Sequence, residues 1–198
     1  LGSSPAEAAP AADVAAGGND LIAIAMEGLL RERFRGELNI VTLPAVASGA
    51  GPKGSGLSSK NVYEINQLAD GVVIGPGNLF ENGALNVDAE SLATLAVPLL
   101  VYSVSAGRIY DRTGRLVERT DSLAGSRMVA LCERADQVLV RDAATAARLA
   151  SCGYNDAKIG GCPSVYLGEF GLDLPDVDPS ISGAVLISAR HPRLMRVP

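Results

Sequence analysis

Length and composition place the chain among globular proteins with a single core. Its 198 residues include 47% apolar but only 4% aromatic residues, so Ala, Val, Leu and Ile must build that core. The net charge of -5 argues against a nucleic-acid partner, because affinity for phosphate backbones comes from clustered Lys and Arg. The apolar runs are far shorter than the roughly 20 residues of a membrane span, which predicts no transmembrane segment.

The cysteines and the N-terminal stretch bear on the compartment. Cys132, Cys152 and Cys162 are odd in number and lack a CxxC spacing, which favours neither a disulfide framework nor a metal site. We therefore predict a cytoplasmic protein without a metal. Residues 1–16 are rich in alanine and lack the basic and apolar regions of a signal peptide, which predicts a disordered tail.

Helical and strand-like patterns alternate from residue 17 to residue 167. Asn19 or Asp20 is the candidate N-cap of the first amphipathic helix. Apolar segments predict a parallel sheet with strands at Leu38–Leu43, Gly71–Gly75, Leu99–Ser103, Val138–Arg141 and Ala157–Gly160. Because such alternation is typical of βαβ crossovers, the sequence predicts an α/β fold, a Rossmann-like and mainly parallel sheet flanked by helices.

The composition changes after residue 167. Residues 168–183 are acidic and broken by prolines, which predicts a linker. Residues 184–198 open with one more apolar segment, GAVLISAR, and are interpreted as the start of an incomplete second domain. An unpaired strand there could associate between chains and give a homo-oligomer.

Loops at the carboxyl ends of the strands are the first candidates for a site, because ligands of open α/β sheets bind there. The first candidate loop contains Gly75, Gly77 and Asn78 and is either a tight turn or a sugar or donor loop, since it lacks the third glycine of a dinucleotide fingerprint. The next contains Ser105 and Gly107, which offer hydrogen bonds and space or form an ordinary serine-rich turn.

Arg141 ends the fourth predicted strand, beside Asp142 and Thr145. It could clamp an anion at the N-terminus of the following helix. Alternatively it forms a surface pair with Asp142, which would then be the N-cap. We expect Gly75–Asn78, Ser105–Gly107 and Arg141 to form one cleft if the strand order brings these ends together.

The glycine-rich segment 47–59 and the single histidine exclude several enzyme classes. The segment lacks the Gly-Lys-Ser/Thr order of a P-loop, so we interpret it as a mobile surface loop. His191 is the only histidine, which excludes a site of several histidines, and no GxSxG elbow supports a serine hydrolase. Arg190 and Arg193 flank it; they could depress its pKa and bind an anion, or be solvated linker residues.

Several segments in this order carry a family resemblance: GGNDLIAIAMEGLL, ADGVVIGPGNLF, VPLLVYSVSAGR, VLVRDAATAARLASCG and AKIGGCPSVYL. Together they resemble the polysaccharide pyruvyl transferase family. The resemblance implies one half of a two-domain, GT-B-like transferase of cell-surface polysaccharide or exopolysaccharide biosynthesis. It also implies transfer of pyruvate from phosphoenolpyruvate to a pair of sugar hydroxyls as a ketal, with no cofactor and a sugar or polysaccharide precursor as the partner.

The same resemblance implies roles for individual residues. His191 would be the catalytic acid, and the donor would be bound by Arg141, Arg190, Ser105 and Gly107. The acceptor side would contain Asn19, Asp20, Gly75, Gly77 and Asn78. The family opens with a β-strand and has a complete second domain, so we expect little transfer activity from this chain alone. The alternatives are a non-catalytic sugar- or protein-binding domain and half of a nucleotide-sugar glycosyltransferase.

Overall fold

The computed structural model describes residues 18–35, 38–45, 55–170 and 180. Its contacts divide the chain into two compact units, one formed by Leu1–Glu37 with Pro163–Ile187 and the other by Leu38–Cys162 with Ser188–Pro198. The predicted tail 1–16 and the predicted second-domain start 184–198 lie outside the described residues, as does most of the predicted linker 168–183. These domain boundaries therefore stay predictions.

The smaller unit contains helix α1 (Gly18–Arg33) and a 3₁₀ helix (Pro163–Glu169). A Cβ at Gly28 would lie 2.9 Å from Cδ1 of Phe170, so the missing side chain is what allows the ring to approach the helix backbone. Because α1 begins at Gly18, Asn19 and Asp20 lie inside its first turn. The prediction that one of them caps the helix is wrong, since an N-cap residue precedes the helical conformation.

The larger unit contains the parallel sheet. Its four strands are β1 (Val72–Ile74), β2 (Leu99–Val104), β5 (Gln137–Val140) and β6 (Lys158–Ile159), in the order β1-β2-β5-β6. Every neighbouring pair is parallel, with Val72 opposite Leu99, Val101 opposite Val138 and Val140 opposite Ile159. Four of the five predicted strands and the α/β class are thereby confirmed.

Helices pack beside this sheet and close its core. They are α2 (Ser59–Leu68), α3 (Ala89–Ala93), α4 (Gly125–Arg134) and α5 (Ala143–Cys152). Each presents apolar side chains to the core, and α4 does so through Met128 and Leu131, which are fully buried. Small aliphatic residues dominate the core, as the composition requires, and the one large ring completely inside it is Phe80. No helix among the described residues is long and apolar enough to cross a membrane.

The predicted strand Leu38–Leu43 does not form. The segment has no ladder partner among the described residues, and Val41 and Leu43 are 74% and 42% exposed. Pro44, the residue after this segment, accepts a hydrogen bond at its carbonyl oxygen from the Gly56 N–H at 2.8 Å. β-branched residues only favour a pleated, half-buried environment, and most of this segment is exposed.

A β-hairpin follows β2 where no element is predicted. Strands β3 (Arg108–Tyr110) and β4 (Leu116–Glu118) pair antiparallel, with Ile109 opposite Val117. Asp111 closes the turn, because its Oδ1 accepts hydrogen bonds from the Thr113 hydroxyl at 2.7 Å and the Arg115 N–H at 2.9 Å. These bonds lower the pKa of the Asp111 carboxyl, the Thr113 hydroxyl contributing most.

The three cysteines differ in accessibility, which predicts a difference in reactivity. Cys132 is 1% exposed and burial raises the pKa of its thiol to about 12, whereas Cys152 and Cys162 are partly exposed. Because the thiolate is the nucleophile, we expect an aromatic disulfide reagent at pH 8 to modify two cysteines of the native chain quickly and the third only after denaturation. A Cys132→Ala variant serves as control, and fast reaction of all three native thiols would contradict the burial of Cys132.

Candidate functional site

Three neighbouring strands end at one edge of the parallel sheet. Because β1, β2 and β5 are adjacent, the loops that follow them meet there. These loops carry Asn78 after β1, Ser105 after β2 and Arg141 after β5. Ligands of open α/β sheets bind outside the carboxyl ends of such strands.

The three side chains form one hydrogen-bonded cluster, here called the strand-end cluster. Nη2 of Arg141 donates to Oδ1 of Asn78 at 2.6 Å and also to Oγ of Ser105. The Ser105 hydroxyl donates in turn to Asn78 Oδ1 at 2.9 Å. Asn78 is exposed and the Arg141 side chain is 26% exposed, so the cluster offers amide and guanidinium N–H groups to a ligand. Its chemistry suits an anion with several oxygen acceptors.

A bulge in β2 brings Ser105 into this cluster. The ladder with β5 pairs Tyr102 with Leu139 and Val104 with Val140, which leaves Ser103 as an extra residue. Ser103 has a φ of 53° and is fully buried, and its hydroxyl has no hydrogen-bond partner among the described residues. Bulges near sites re-aim the side chains that follow them, and strained backbone accumulates at such places.

The glycine loop after β1 is joined to this bulge. Gly77 N–H donates to Ser103 O at 3.1 Å, and Ser105 N–H donates to Gly77 O at 3.0 Å. Gly75 has a φ of 129° and a Cβ there would lie 1.9 Å from Tyr102 O. The predicted ligand loop is thus extended against β2, and Asn78 is its exposed polar side chain.

Gly107 makes room for a buried carboxylate that the sequence did not indicate. Its N–H donates to Oε2 of Glu81 at 3.1 Å, and a Cβ at Gly107 would lie 2.2 Å from that oxygen. Glu81 is 5% exposed and its Oε2 lies 3.7 Å from Nε of Arg119. The pKa of Arg119 is raised, first by its hydrogen bonds to Asp121. Nothing in the sequence distinguishes Glu81 from a surface glutamate. The structure shows that it follows Phe80, which is fully buried.

The helix after Arg141 is capped from within the chain. Oδ1 of Asp142 accepts hydrogen bonds from the N–H and the hydroxyl of Thr145, both at 2.8 Å, while its Oδ2 lies 3.8 Å from Nε of Arg141. The alternative in which Asp142 is the N-cap and pairs with Arg141 is confirmed. Arg141 also reaches the strand-end cluster, and its role in binding an anion stays a prediction. The Asp142 carboxylate already occupies the N-terminus of α5. A bound anion would therefore have to be held by the Arg141 guanidinium rather than by the helix N–H groups.

The structure does not describe the side chains of the remaining predicted site residues. Asn19 and Asp20 belong to the smaller unit, and their side chains are outside the described part of the chain. Arg190 and His191 are also outside the described residues. Among the described residues there is no group of three or more His, Cys, Asp or Glu side chains able to hold a metal ion. The structure thus brings together the predicted residues of the three strand ends, and their binding roles stay predictions.

Comparison with known proteins identifies a family. The family model of the polysaccharide pyruvyl transferases matches residues 16–191, which is most of the chain and includes all three strand ends. A comparison with curated proteins and another with solved structures gave no match.

Proposed function

The chain belongs to the polysaccharide pyruvyl transferase family, and from that premise we propose that it binds phosphoenolpyruvate at the strand-end cluster for transfer of the pyruvyl group to a sugar. The observation that carries the proposal is the convergence of Arg141, Ser105 and Asn78 on shared hydrogen bonds at 2.6 and 2.9 Å. Phosphoenolpyruvate carries a phosphate and a carboxylate, both of which present the paired oxygens that a guanidinium binds best.

The cluster is suited to exchange its internal bonds for bonds to such a ligand. Nη2 of Arg141 is shared between two neutral acceptors, and a charged oxygen acceptor makes stronger hydrogen bonds than either. The Asn78 amide nitrogen makes no hydrogen bond within the described residues and lies on an exposed side chain, so it can donate to the same ligand.

The proposed reaction converts the enol phosphate into a ketal. Addition of a proton to the methylene carbon generates an oxocarbenium-like centre at the neighbouring carbon, which a first sugar hydroxyl attacks. The bond to the phosphate oxygen then breaks, and a second hydroxyl forms the second C–O bond. Each of the two sugar hydroxyls releases a proton. One proton restores the acid that protonated the methylene carbon, and the other leaves with the phosphate. The protein must supply an acid and cations for the departing phosphate.

We propose His191 as that acid and Arg190 as a second donor cation. The unperturbed pKa of histidine is near neutrality, and Arg141 is the cation that the cluster itself supplies. Asn78 is predicted on the acceptor side, but its hydrogen bond to Arg141 is the reason that we propose it as a donor ligand instead. The predicted contacts of Asn19, Asp20, Gly75 and Gly77 with the acceptor and of Gly107 with the donor stay predictions. The Gly77 and Gly107 N–H groups already donate within the protein, so their contribution would be to shape the loop.

Phosphoenolpyruvate binding tests the proposal directly. Titration of the isotope-labelled chain should shift the amide signals of Asn78, Ser105 and Arg141, and the phosphorus signal of the ligand should broaden. Addition of a β-galactoside or N-acetylmannosamine then tests turnover through phosphate release and the appearance of the ketal methyl signal. Absence of any binding-dependent shift at the three strand ends would overturn the donor site; sugar binding without it would favour a non-catalytic sugar-binding domain.

A further inference from the structure

A groove next to the strand-end cluster has no role in the donor site. It lies between the hairpin β3–β4 and helix α5 and has a volume of about 220 Å³. The helix contributes Ala144, Ala147, Arg148 and Ser151, the hairpin contributes Arg108 and Glu118, and Ala106, the residue after Ser105, also lines the groove. We propose that this groove, the hairpin groove, is the acceptor subsite in place of the predicted loop residues Gly75 and Gly77, and that it binds one neutral pyranose ring of the sugar substrate. The proposal rests on the proposed function for the ligand's role as acceptor.

The spacing along α5 creates the space. Residues 144, 147, 148 and 151 lie on one helix face because they follow the i, i+3, i+4, i+7 pattern. The alanines on this face are exposed and short, which leaves apolar floor between the charged side chains. A ring of sugar carbons can lie on such a floor, while its hydroxyls reach the polar rim.

The charged rim supplies both hydrogen-bond donors and an acceptor. Nε of Arg148 lies 3.5 Å from Oε2 of Glu118, is buried and has no hydrogen-bond partner in the part of the chain that the structure describes. This ion pair spans the groove from helix to hairpin and restrains both side chains, which are 29% and 47% exposed. A hydroxyl group can both donate to the carboxylate and accept from the guanidinium. A polyol can use both the two guanidinium groups, of Arg108 and Arg148, and the Glu118 carboxylate, whereas a phosphate or carboxylate could use only the guanidinium groups.

Size and position favour a single sugar ring at this place. The volume is smaller than the roughly 300–1,000 Å³ of clefts that hold drug-sized ligands. Ala106, which lines the groove, follows Ser105 of the strand-end cluster directly, and its N–H donates to Thr145 Oγ1 at 3.1 Å. This bond fixes the β2 end to α5. A ring in the hairpin groove would therefore have its hydroxyls close to a donor held by Arg141.

The test compares two substitutions on the same helix. Ala147 lines the hairpin groove, whereas Ala150 is equally exposed on α5 but does not line it. Titration of the full chain with methyl β-galactoside and with N-acetylmannosamine should shift amide signals of Arg108, Glu118 and Ala147. Ala147→Phe should raise the dissociation constant of the bound sugar at least about tenfold, equivalent to about 1.4 kcal/mol, and Ala150→Phe should leave it unchanged.

Phosphoenolpyruvate provides the second arm of the test. Its affinity should be the same in Ala147→Phe and in the parent chain, because the filled groove does not contain Arg141. If neither sugar shifts the groove amides, or if Ala150→Phe weakens sugar binding as much as Ala147→Phe, the acceptor subsite is refuted while the donor site can still stand. If the parent chain binds either sugar at the groove amides but does not bind phosphoenolpyruvate, the groove is supported and the donor site is refuted. Stronger binding of inorganic phosphate than of either sugar at these amides would also refute the proposal.

Discussion

Replacement of Arg141 by alanine will weaken phosphoenolpyruvate binding by roughly ten- to a hundredfold. Hydrogen bonds to charged groups contribute about 1.5–3 kcal/mol each, and a factor of ten corresponds to about 1.4 kcal/mol. Arg141 is the member of the strand-end cluster with a positive charge, and its Nη2 joins the other two members. The loss should appear as a higher dissociation constant in calorimetry or in the amide titration.

Two further variants separate charge from geometry. Arg141→Lys keeps the charge but loses the planar fork, so its affinity should lie between those of the parent and of Arg141→Ala. Lys60→Ala removes one positive charge from an exposed position on α2, where Lys60 lies 3.7 Å from Glu64, and should change the affinity little. An equal loss in the alanine variants at positions 60 and 141 would show that net charge alone attracts the ligand, and the donor role of Arg141 would then be abandoned.

Replacement of Gly75 by alanine will destabilise the larger unit by about 4 kcal/mol. An added Cβ would lie 1.9 Å from Tyr102 O at a φ of 129°, so the backbone strain of about 1–3 kcal/mol adds to an overpacking cost of similar size. Because β1 and β2 must separate to relieve the clash, Asn78 should also move away from Ser105. Chemical denaturation measures the first effect and phosphoenolpyruvate titration the second.

Gly77 is the matched control for this substitution. Its φ of 131° is nearly that of Gly75, yet a Cβ there would have no heavy atom within 4 Å. Gly77→Ala should therefore cost only the backbone strain, about 1–3 kcal/mol. Equal unfolding free energies for the two variants would show that the close approach of β1 to β2 is not what requires glycine at position 75. A Gly75→Ala chain that fails to fold beside a folded Gly77→Ala chain would agree with the prediction.

The α/β class, four of the strands and the three loops of the site could be predicted from the sequence. Fully apolar segments such as Gly71–Gly75 are typical of strands covered by helices, and β-branched residues in short runs favour strands. Parallel strands have their carboxyl ends at one edge, so Asn78, Ser105 and Arg141 could be placed on the same side before the strand order was known. Asp142 was a recognisable N-cap because a carboxylate at that position satisfies free N–H groups.

Features that depend on contacts between distant parts of the sequence could not be predicted and follow only from the tertiary structure. Leu38–Leu43 has strand composition but lacks a ladder partner among the described residues, and propensity alone cannot supply one. The bulge at Ser103 exists because β2 and β5 differ in register, a relation between two segments that neither contains alone. Glu81 is a functional candidate only because the fold buries its carboxylate against the Gly107 N–H and near Arg119. Whether a polar side chain is buried depends on the side chains that pack over it, and these take their places only when the whole core forms.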